Sequence, residues 1–476
     1  MQGSFFSNLV LLILVNLLIK PVSLLVVDAG FQNELGHTDY GLYFSLLNFS
    51  LLFNIFLDLG INNFTIRRVA QQPQKAKRLF GAVFIFRIFL FIFYLVLLLT
   101  SGVIIGYDNA ALSILCLLGV NQFVVLCIAY IRSHFTGFHY FKLDALLSVL
   151  DRFLLILIGG YFLFFRQGQL SIYTFIWIQF GTYLTTFFIG YFLFIRYIDK
   201  PTFSVNFKLS GAILKRSMPY AILILLMLIY SRLDGVLLER LHENGAEQAG
   251  IYAQGYRLLD AFYMFGMIFA GLLFPMFSRL LSENKAAIYP LLKSAGDLLL
   301  GSAILIAFIC IYNGDLFMSI IYQDYEEAVG PFQWLMLSFI AICMNFIFGT
   351  LLTAGGNLKV LNWISFIGIG VNITLNILLI PRFGAEGAAI TTLFTQFFTA
   401  VLQFLYAVKR FEIPISVFHI IKYPLYILIL LGVSHLYYAH DYMILLQFIV
   451  GISGMFILSF ISKNSMFNIF QENEIK

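Results

Sequence analysis

Residues 228–260 read Leu-Ile-Tyr-Ser-Arg-Leu-Asp-Gly-Val-Leu-Leu-Glu-Arg-Leu-His-Glu-Asn-Gly-Ala-Glu-Gln-Ala-Gly-Ile-Tyr-Ala-Gln-Gly-Tyr-Arg-Leu-Leu-Asp. The stretch is the end of one apolar segment, a short polar turn and the start of the next. Arg232, Asp234, Arg257 and Asp260 lie on the apolar segments themselves. A charge at the centre of a bilayer costs roughly 2.5 to 3.5 kcal/mol on insertion scales, so each of the four needs a reason.

The whole chain repeats this pattern. Hydrophobic residues make up 61% of it and charged ones 11%, with a mean hydropathy of +0.92. Soluble domains run at roughly 45 to 50% apolar and about 25% charged, so the chain is a polytopic membrane protein with no soluble domain. Apolar runs of membrane-spanning length recur from end to end. The spacing predicts about fourteen transmembrane helices: 7–27, 40–61, 79–100, 110–130, 143–165, 172–195, 217–238, 250–277, 295–312, 331–352, 360–380, 385–408, 417–437 and 442–461. The first run, Phe5 to Val27, lacks a basic leading region and is longer than a signal-peptide core, which predicts a retained helix. Cys116, Cys127, Cys310 and Cys343 all fall inside apolar runs and are expected to pack as small hydrophobes, without disulfides or a metal site.

The charge distribution, rather than the net +5, decides the partner class. If the N-terminus is cytoplasmic, the inner loops hold Arg67, Arg68, Lys75, Lys77, Arg78, Arg132, Lys142, Arg196, Lys200, Lys208, Lys215, Arg216, Arg279, Lys285, Lys293, Lys359, Lys409, Arg410 and Lys422. Lys463 and Lys476 lie in the tail, and the outer loops hold only Arg166, Arg240 and Arg382. The positive-inside rule then predicts both termini in the cytoplasm and no nucleic-acid partner. Outer loops are acidic instead, with Asp28, Glu34 and Asp39 in the first and Asp315, Asp324, Glu326 and Glu327 in the fifth.

An internal repeat is legible. Tyr40-Gly41-Leu42-Tyr43 opens the second helix and Ala249-Gly250-Ile251-Tyr252 the eighth, while Lys142 and Lys359 each follow a Gly-containing turn before the fifth and eleventh. This predicts two pseudo-symmetric six-helix lobes, residues 1–200 and 201–410, and a C-terminal appendage, 411–476, made of helices thirteen and fourteen and a tail. Pro21 and Pro275 are expected to kink helices one and eight. Gly159-Gly160 and Gly368-Ile369-Gly370 are expected to allow ordinary close helix packing.

Five basic side chains remain inside helices: Lys20, Arg87, Arg152, Arg232 and Arg257. Facing lipid, they would together cost roughly 12 to 18 kcal/mol, more than a typical folding free energy of about 5 to 15 kcal/mol. They must face an interior. Structural pairing is the alternative to a functional cavity, but only Arg257 and Asp260 have helical i,i+3 spacing. Asp151 beside Arg152 and Asp234 near Arg232 point to other faces, so these two arginines are expected to find partners elsewhere. At 1.5 Å per residue, Lys20 and Arg232 lie roughly 20 Å from the cytoplasmic ends of helices one and seven, and Arg257 about 10 Å from the outer end of helix eight. A chamber lined by three such cations suits an anionic substrate. Tyr230, Tyr252 and Tyr256 lie near that level and read as interfacial belt residues or as stacking platforms for sugars. No catalytic constellation emerges. His134 and His139 fall in a short inner loop, the Glu239, His242 and Glu243 turn is a weak cluster, and the chain is not expected to be an enzyme.

Three sets of residues carry a resemblance. They are Asp39-Tyr40-Gly41-Leu42-Tyr43 with Asp58-Leu59-Gly60 and Arg67-Arg68-Val69-Ala70; Arg232-Leu233-Asp234 with Gln248-Ala249-Gly250-Ile251-Tyr252 and Tyr256-Arg257-Leu258; and Leu379-Ile380-Pro381-Arg382-Phe383-Gly384-Ala385-Glu386-Gly387-Ala388-Ala389. In that order, over roughly residues 1 to 410, the chain resembles bacterial polysaccharide (O-antigen type) flippases of the multidrug/oligosaccharidyl-lipid/polysaccharide exporter superfamily. The resemblance implies two six-helix lobes, often with two extra helices, that exchange inward-open and outward-open states. It implies movement of undecaprenyl-pyrophosphate-linked oligosaccharide across a bacterial inner membrane by a monomer in contact with membrane lipid, with a polysaccharide polymerase and glycosyltransferases as further partners. Its cationic substrate site would correspond to Lys20, Arg232 and Arg257, with Arg87 and Arg152 beside them. No cofactor is implied beyond a coupling sodium ion or proton. For sodium, Asp234, Asn372, Asn376 and Thr395 fall at the depth used by related lipid II flippases, although Asn376 stands where those relatives carry a carboxylate. Two other readings remain: a multidrug/cation antiporter of the same superfamily, which should have a chamber dominated by carboxylates, and a membrane polysaccharide polymerase, which should carry an extended outer loop with catalytic groups. The longest outer loop, Asn313 to Gly330, has no basic residue.

Overall fold

The computed structural model describes residues 15–166, 168, 170–203, 207–284, 287–414, 417–436 and 443–461. The expected start of helix one at 7–14 and the charges of Lys285, Lys463 and Lys476 lie outside them. The described residues form helices and no strand, as a chain bathed in hydrocarbon requires when every backbone group must be paired within its own segment.

Val15–Leu52 is helical throughout but is two helices, divided at Gly36, whose φ of 72° and ψ of 175° only a residue without a Cβ adopts easily. These are α1 and α2. There follow α3 (Ala76–Ile105), α4 (Asn109–Gly137), α5 (Phe141–Phe165), α6 (Ile172–Tyr197), α7 (Phe207–Leu241), α8 (Gly245–Glu283), α9 (Ile288–Tyr312) and α10 (Val329–Ala354). Leu358–Phe411 is again two helices, α11 and α12, turned at Gly384 (φ 50°, ψ −128°). Val417–Leu436 and Met443–Ile461 complete the set as α13 and α14. The fourteen helices read from hydropathy are present. Nine continuous helical segments among the described residues are long and apolar enough to span a bilayer, and two of these are the bent pairs α1–α2 and α11–α12.

Helix ends differ from the sequence expectation in a consistent direction. Polar first and last turns were read as loop, yet α7, α8 and α9 run on through them. Arg132 therefore lies inside α4, and Lys422 inside α13. His134, expected in an inner loop, is a fully buried core histidine of α4, bonded through Nδ1 to the Tyr130 carbonyl oxygen at 3.0 Å and ringed by Phe80 and Phe194. Helix two departs the other way. It ends at Leu52, and Leu59 and Gly60, both with left-handed backbone, separate the short helix Ile55–Asp58 from Ile61–Gln71.

Pro21 acts as expected on α1: with no N–H to donate, it is followed at once by a π-helical stretch, Ser23–Asp28. Pro275 lies within the continuous helix α8. Of the paired glycines, Gly159 packs against Val27 and Gly368 against Thr399, whereas Gly160 and Gly370 have open space beside them.

By packing, the chain divides into two units, Met1–Ala253 and Gln254–Lys476, a cut that falls inside α8. In the first unit the two repeat motifs meet. A Cβ on Gly41 would lie 1.8 Å from the Ala246 carbonyl oxygen, and one on Gly250 would lie 2.1 Å from that of His37. Glycine is thus required at both crossings by backbone contact. Gln32 Nε2 adds a bond of 2.8 Å to the Gly250 carbonyl oxygen. In the second unit α13 and α14 pack on α9 through Tyr426, Leu430, Leu305 and Phe308, and Tyr426 Oη donates to the Gly451 carbonyl oxygen at 2.9 Å.

Candidate functional site

The interior of the first unit holds a charge cluster. Residues 144, 148 and 151 of α5 follow i, i+4, i+7 spacing and share one face. Asp144 on that face forms an ion pair of 2.6 Å with Arg132 Nε and accepts a bond of 3.2 Å from Thr136 Oγ1. Ser148 accepts from Asn16 Nδ2 of α1 at 2.8 Å. Beyond it, Arg152 Nε lies 3.4 Å from Asp151 Oδ2, and its guanidinium stands 5.8 Å from the centre of the Tyr183 ring. The long arginine side chain folds back on its neighbour, which corrects the expectation that adjacent residues could not pair.

The π-helical turn of α1 supplies the other wall. It sets Lys20 on one side and Asp28 on the other. Asp28, expected in an outer loop, lies within α1, accepts from Tyr40 Oη at 2.8 Å and is within electrostatic range of Arg152, as is Tyr43. Tyr43 Oη in turn accepts from Gln179 Nε2 at 2.9 Å. Lys20 is within range of Arg132, Arg152, Asp144 and Asp151, yet it forms neither an ion pair nor a hydrogen bond among the described residues. The other cations of the cluster have carboxylate partners; Lys20 does not. Sequence reading singled out Lys20 and Arg152 but took Arg132 and Asp28 as loop charges and did not single out Asp144. The signal was the i, i+4, i+7 spacing on α5.

Arg87 is a different object. It is 1% exposed, forms an ion pair of 2.8 Å with Asp58, donates to Asn62 Oδ1 at 2.7 Å and covers the Tyr130 ring at 4.8 Å. It ties α3 to the helices on either side of the Leu59-Gly60 break.

On α7, Asp234 is 1% exposed and accepts from Tyr252 Oη at 3.4 Å, while Arg232, two residues earlier, is half-buried. Tyr252, which stands where Tyr43 does in the first copy of the repeat, also meets the Phe44 ring at 6.2 Å. Tyr230, Tyr252 and Tyr256 are all buried, which overturns the belt reading for these three. At the end of α7, Glu239 pairs with Arg240 at 2.8 Å, and Arg240 lies 3.7 Å over the ring of Tyr107, a turn residue whose hydroxyl pKa is pushed up by burial.

In the second unit, Arg257 lies 3.8 Å from Asp260, so the i,i+3 pair forms. Because α8 starts at Gly245, Arg257 lies roughly 18 Å from its first residue, deeper than its expected position. The rest of this interior is polar but neutral. Asn376 Nδ2 donates to Asn372 Oδ1 at 3.1 Å, both residues being fully buried. Thr395 is 1% exposed, and its hydroxyl has no hydrogen bond among the described residues. Around it runs a stripe the sequence reading missed: Thr392, Gln396, Thr399 and Gln403 on α12, with Asn345 of α10 donating to Gln396 Oε1 at 3.0 Å and to Thr399 Oγ1 at 3.3 Å. The i, i+3, i+4 recurrence of Thr and Gln was its signal. Elsewhere Lys422, read as a loop charge, is buried in an ion pair with Asp297, to which Tyr423 Oη also donates at 3.3 Å. Sodium fits this unit's neutral oxygens in kind, since hard cations take carbonyl and hydroxyl ligands.

The helices and their buried charges define a multi-pass membrane protein with the fold of lipid flippases and multidrug transporters. The inward closed conformation of the lipid II flippase MurJ superposes with a TM-score of 0.74 at 15% identity, covering 98% of this chain and 100% of that one. An inward-facing multidrug resistance transporter of the MATE family, in the MOP superfamily, gives 0.62 at 16% identity over 82% and 94%. The chain belongs to the polysaccharide biosynthesis protein family, whose profile matches residues 5–281. A curated relative, the uncharacterized membrane protein MJ1068 of Methanocaldococcus jannaschii, is 23% identical over 427 residues, 83% of this chain and 82% of the relative.

Proposed function

We propose that this protein is a flippase that moves undecaprenyl-pyrophosphate-linked oligosaccharide from the cytoplasmic to the outer leaflet by alternating access, for surface polysaccharide synthesis. The observation that carries the reading is Lys20: a cation inside the first unit, beside Arg152 and Arg132, that has no carboxylate partner among the described residues. A carboxylate-lined drug site has no use for such a group, whereas a pyrophosphate does. In the first unit Lys20, Arg152 and Arg232 meet the pyrophosphate; in the second, Arg257 is a separate candidate for contact with the substrate. Arg152 can trade its 3.4 Å contact with Asp151 for a phosphoryl oxygen at little cost. Arg87, buried and paired with Asp58 and Asn62, holds the first unit together instead.

The polyprenyl tail stays in lipid, and the protein works as a monomer in a bacterial inner membrane with both termini cytoplasmic, the polymerase and glycosyltransferases being its neighbours. For a coupling sodium ion, the ligand oxygens are those of Asn372, Asn376 and Thr395 in the second unit; with Asn376 neutral, affinity should be weaker than at a site with a carboxylate there. Support for the flippase reading comes from family membership and from the MurJ-like fold, while the likeness to MATE transporters keeps drug/cation antiport as the competing reading.

Export separates them. Lys20→Glu and Arg232→Glu, expressed in place of the native chain, should abolish surface polysaccharide at unchanged protein level in the membrane, and Lys20→Arg should restore it. Normal export by both reversed variants would remove these residues from the mechanism.

A further inference from the structure

The second unit contains an apolar cavity of about 510 Å³ walled by α9, α10, α12 and α13. Its trunk is Leu300, Ile304, Ile340, Met344, Phe348 and Phe404. The volume is that of a small-molecule site, roughly 300 to 1,000 Å³. Water is a poor tenant, because a buried water needs two to four polar partners and this trunk offers none. The flanking residues Val401, Leu405, Ile421 and Leu425 are exposed apolar side chains of a membrane protein, so the surrounding solvent is hydrocarbon chain.

One end of the cavity is different. Tyr289, Lys293 and Lys422 lie there, with Ile413 and Pro414 just beyond the exposed Lys409-Arg410 pair that ends α12. Among the described residues, no Asp or Glu lines the cavity. Lys422 is neutralised by its buried bond to Asp297, but Lys293 has neither an ion pair nor a hydrogen bond among the described residues. Among the described residues the cavity thus presents one uncompensated cation, Lys293, above an apolar slot. A neutral lipid leaves that lysine unmatched, and a free phosphate leaves the slot unfilled.

We infer that this cavity is a binding site for an anionic phospholipid of the bilayer, with one acyl chain along Ile304, Ile340 and Phe404 and the phosphate at Lys293. The site lies wholly in the second unit and uses none of the residues assigned to the transported substrate. The buried Lys422–Asp297 pair fixes α13 against α9 and so holds one wall of the slot in place.

Lipid retention tests this without any transport. The full-length chain, purified from nanodiscs of equal phosphatidylglycerol and phosphatidylcholine with identical acyl chains, is weighed intact by native mass spectrometry. The wild type should keep one phosphatidylglycerol in preference to phosphatidylcholine. One lysine near an anionic surface is worth about fivefold in occupancy, so Lys293→Ala should lower the preference about fivefold, Lys293→Glu at least as far, and Lys293→Arg should keep it. Ile340→Trp, which fills the slot, should remove both lipids from a chain that still elutes as a single species. Equal retention of the two lipids by the wild type, or an unchanged preference in Lys293→Glu, would overturn the inference. So would stoichiometric displacement of the phosphatidylglycerol by added undecaprenyl phosphate, which would make the cavity a tail site for the transported lipid.

Discussion

The two units bury polar groups by opposite means. The first uses full charges, with Asp28, Asp144 and Asp151 set against Lys20, Arg132 and Arg152, and with Arg87 sealed onto Asp58. The second uses neutral amides and hydroxyls from Asn345, Asn372, Asn376, Thr395, Gln396 and Thr399, and its buried charges Arg257 and Lys422 are paired with Asp260 and Asp297. Buried charges are costly to orphan and can be redirected to an incoming ion, whereas neutral networks are cheap to hold and bind cations weakly. The first interior is therefore suited to exchanging its partners for a phosphate. The second suits a scaffold, or a weak cation site.

Breaking the first interior should hurt most. Arg87→Ala strands Asp58 and Asn62 and uncovers Tyr130, and should cost about 3 to 5 kcal/mol, seen as a large drop in the unfolding temperature of the detergent-purified chain. Lys20→Ala, by contrast, should leave that temperature unchanged while export falls; if both variants behaved alike, the division between tie and ligand would collapse. Gly250→Ala tests the repeat crossing. Its Cβ would press on the His37 backbone, for roughly 1 to 3 kcal/mol by overpacking.

The second interior should give way more gently. Asn372→Ala should cost about 1 to 2 kcal/mol, and Asn372→Leu with Asn376→Leu together less than the sum of the two single changes, since removing both partners leaves no orphaned amide. Smallest of all is the exposed Lys77–Asp199 pair, where the lysine ammonium and the Lys200 backbone N–H hold the Asp199 carboxyl below the usual carboxylate range. A depressed folded-state pKa contributes stability above the unfolded-state value, near 3.9, that fades as pH falls through the folded-state value. Asp199→Asn should thus lower the unfolding temperature slightly at neutral pH, with the difference from the wild type closing as the pH falls into acid.

Much of this was legible in the residues. Helix number follows from hydropathy, and the pairing of Tyr40-Gly41-Leu42-Tyr43 with Ala249-Gly250-Ile251-Tyr252 follows from glycine placement; the bends at Gly36 and Gly384 were not read from either. What periodicity misplaced were polar helix ends: Arg132, Asp28 and Lys422 looked like loop charges because a hydropathy window stops where the side chains turn polar, while backbone hydrogen bonding carries the helix on. The pairing of Arg152 with Asp151 was hidden for another reason, since spacing rules describe Cβ directions and a long guanidinium can fold back. The missed stripe of Thr392, Gln396, Thr399 and Gln403 was diluted by the Phe and Leu residues between them on α12.

The central assignment is that Lys20 and the cations beside it in the first unit handle an anionic lipid-linked glycan. Its most direct measurement is leaflet exchange in proteoliposomes of the purified chain, loaded with a fluorescent polyprenyl-pyrophosphate oligosaccharide and probed with a membrane-impermeant quencher. The wild type should expose lipid from both leaflets, and Lys20→Glu should expose only the outer pool while remaining folded. Exchange at the wild-type rate in Lys20→Glu and Arg232→Glu alike would contradict it.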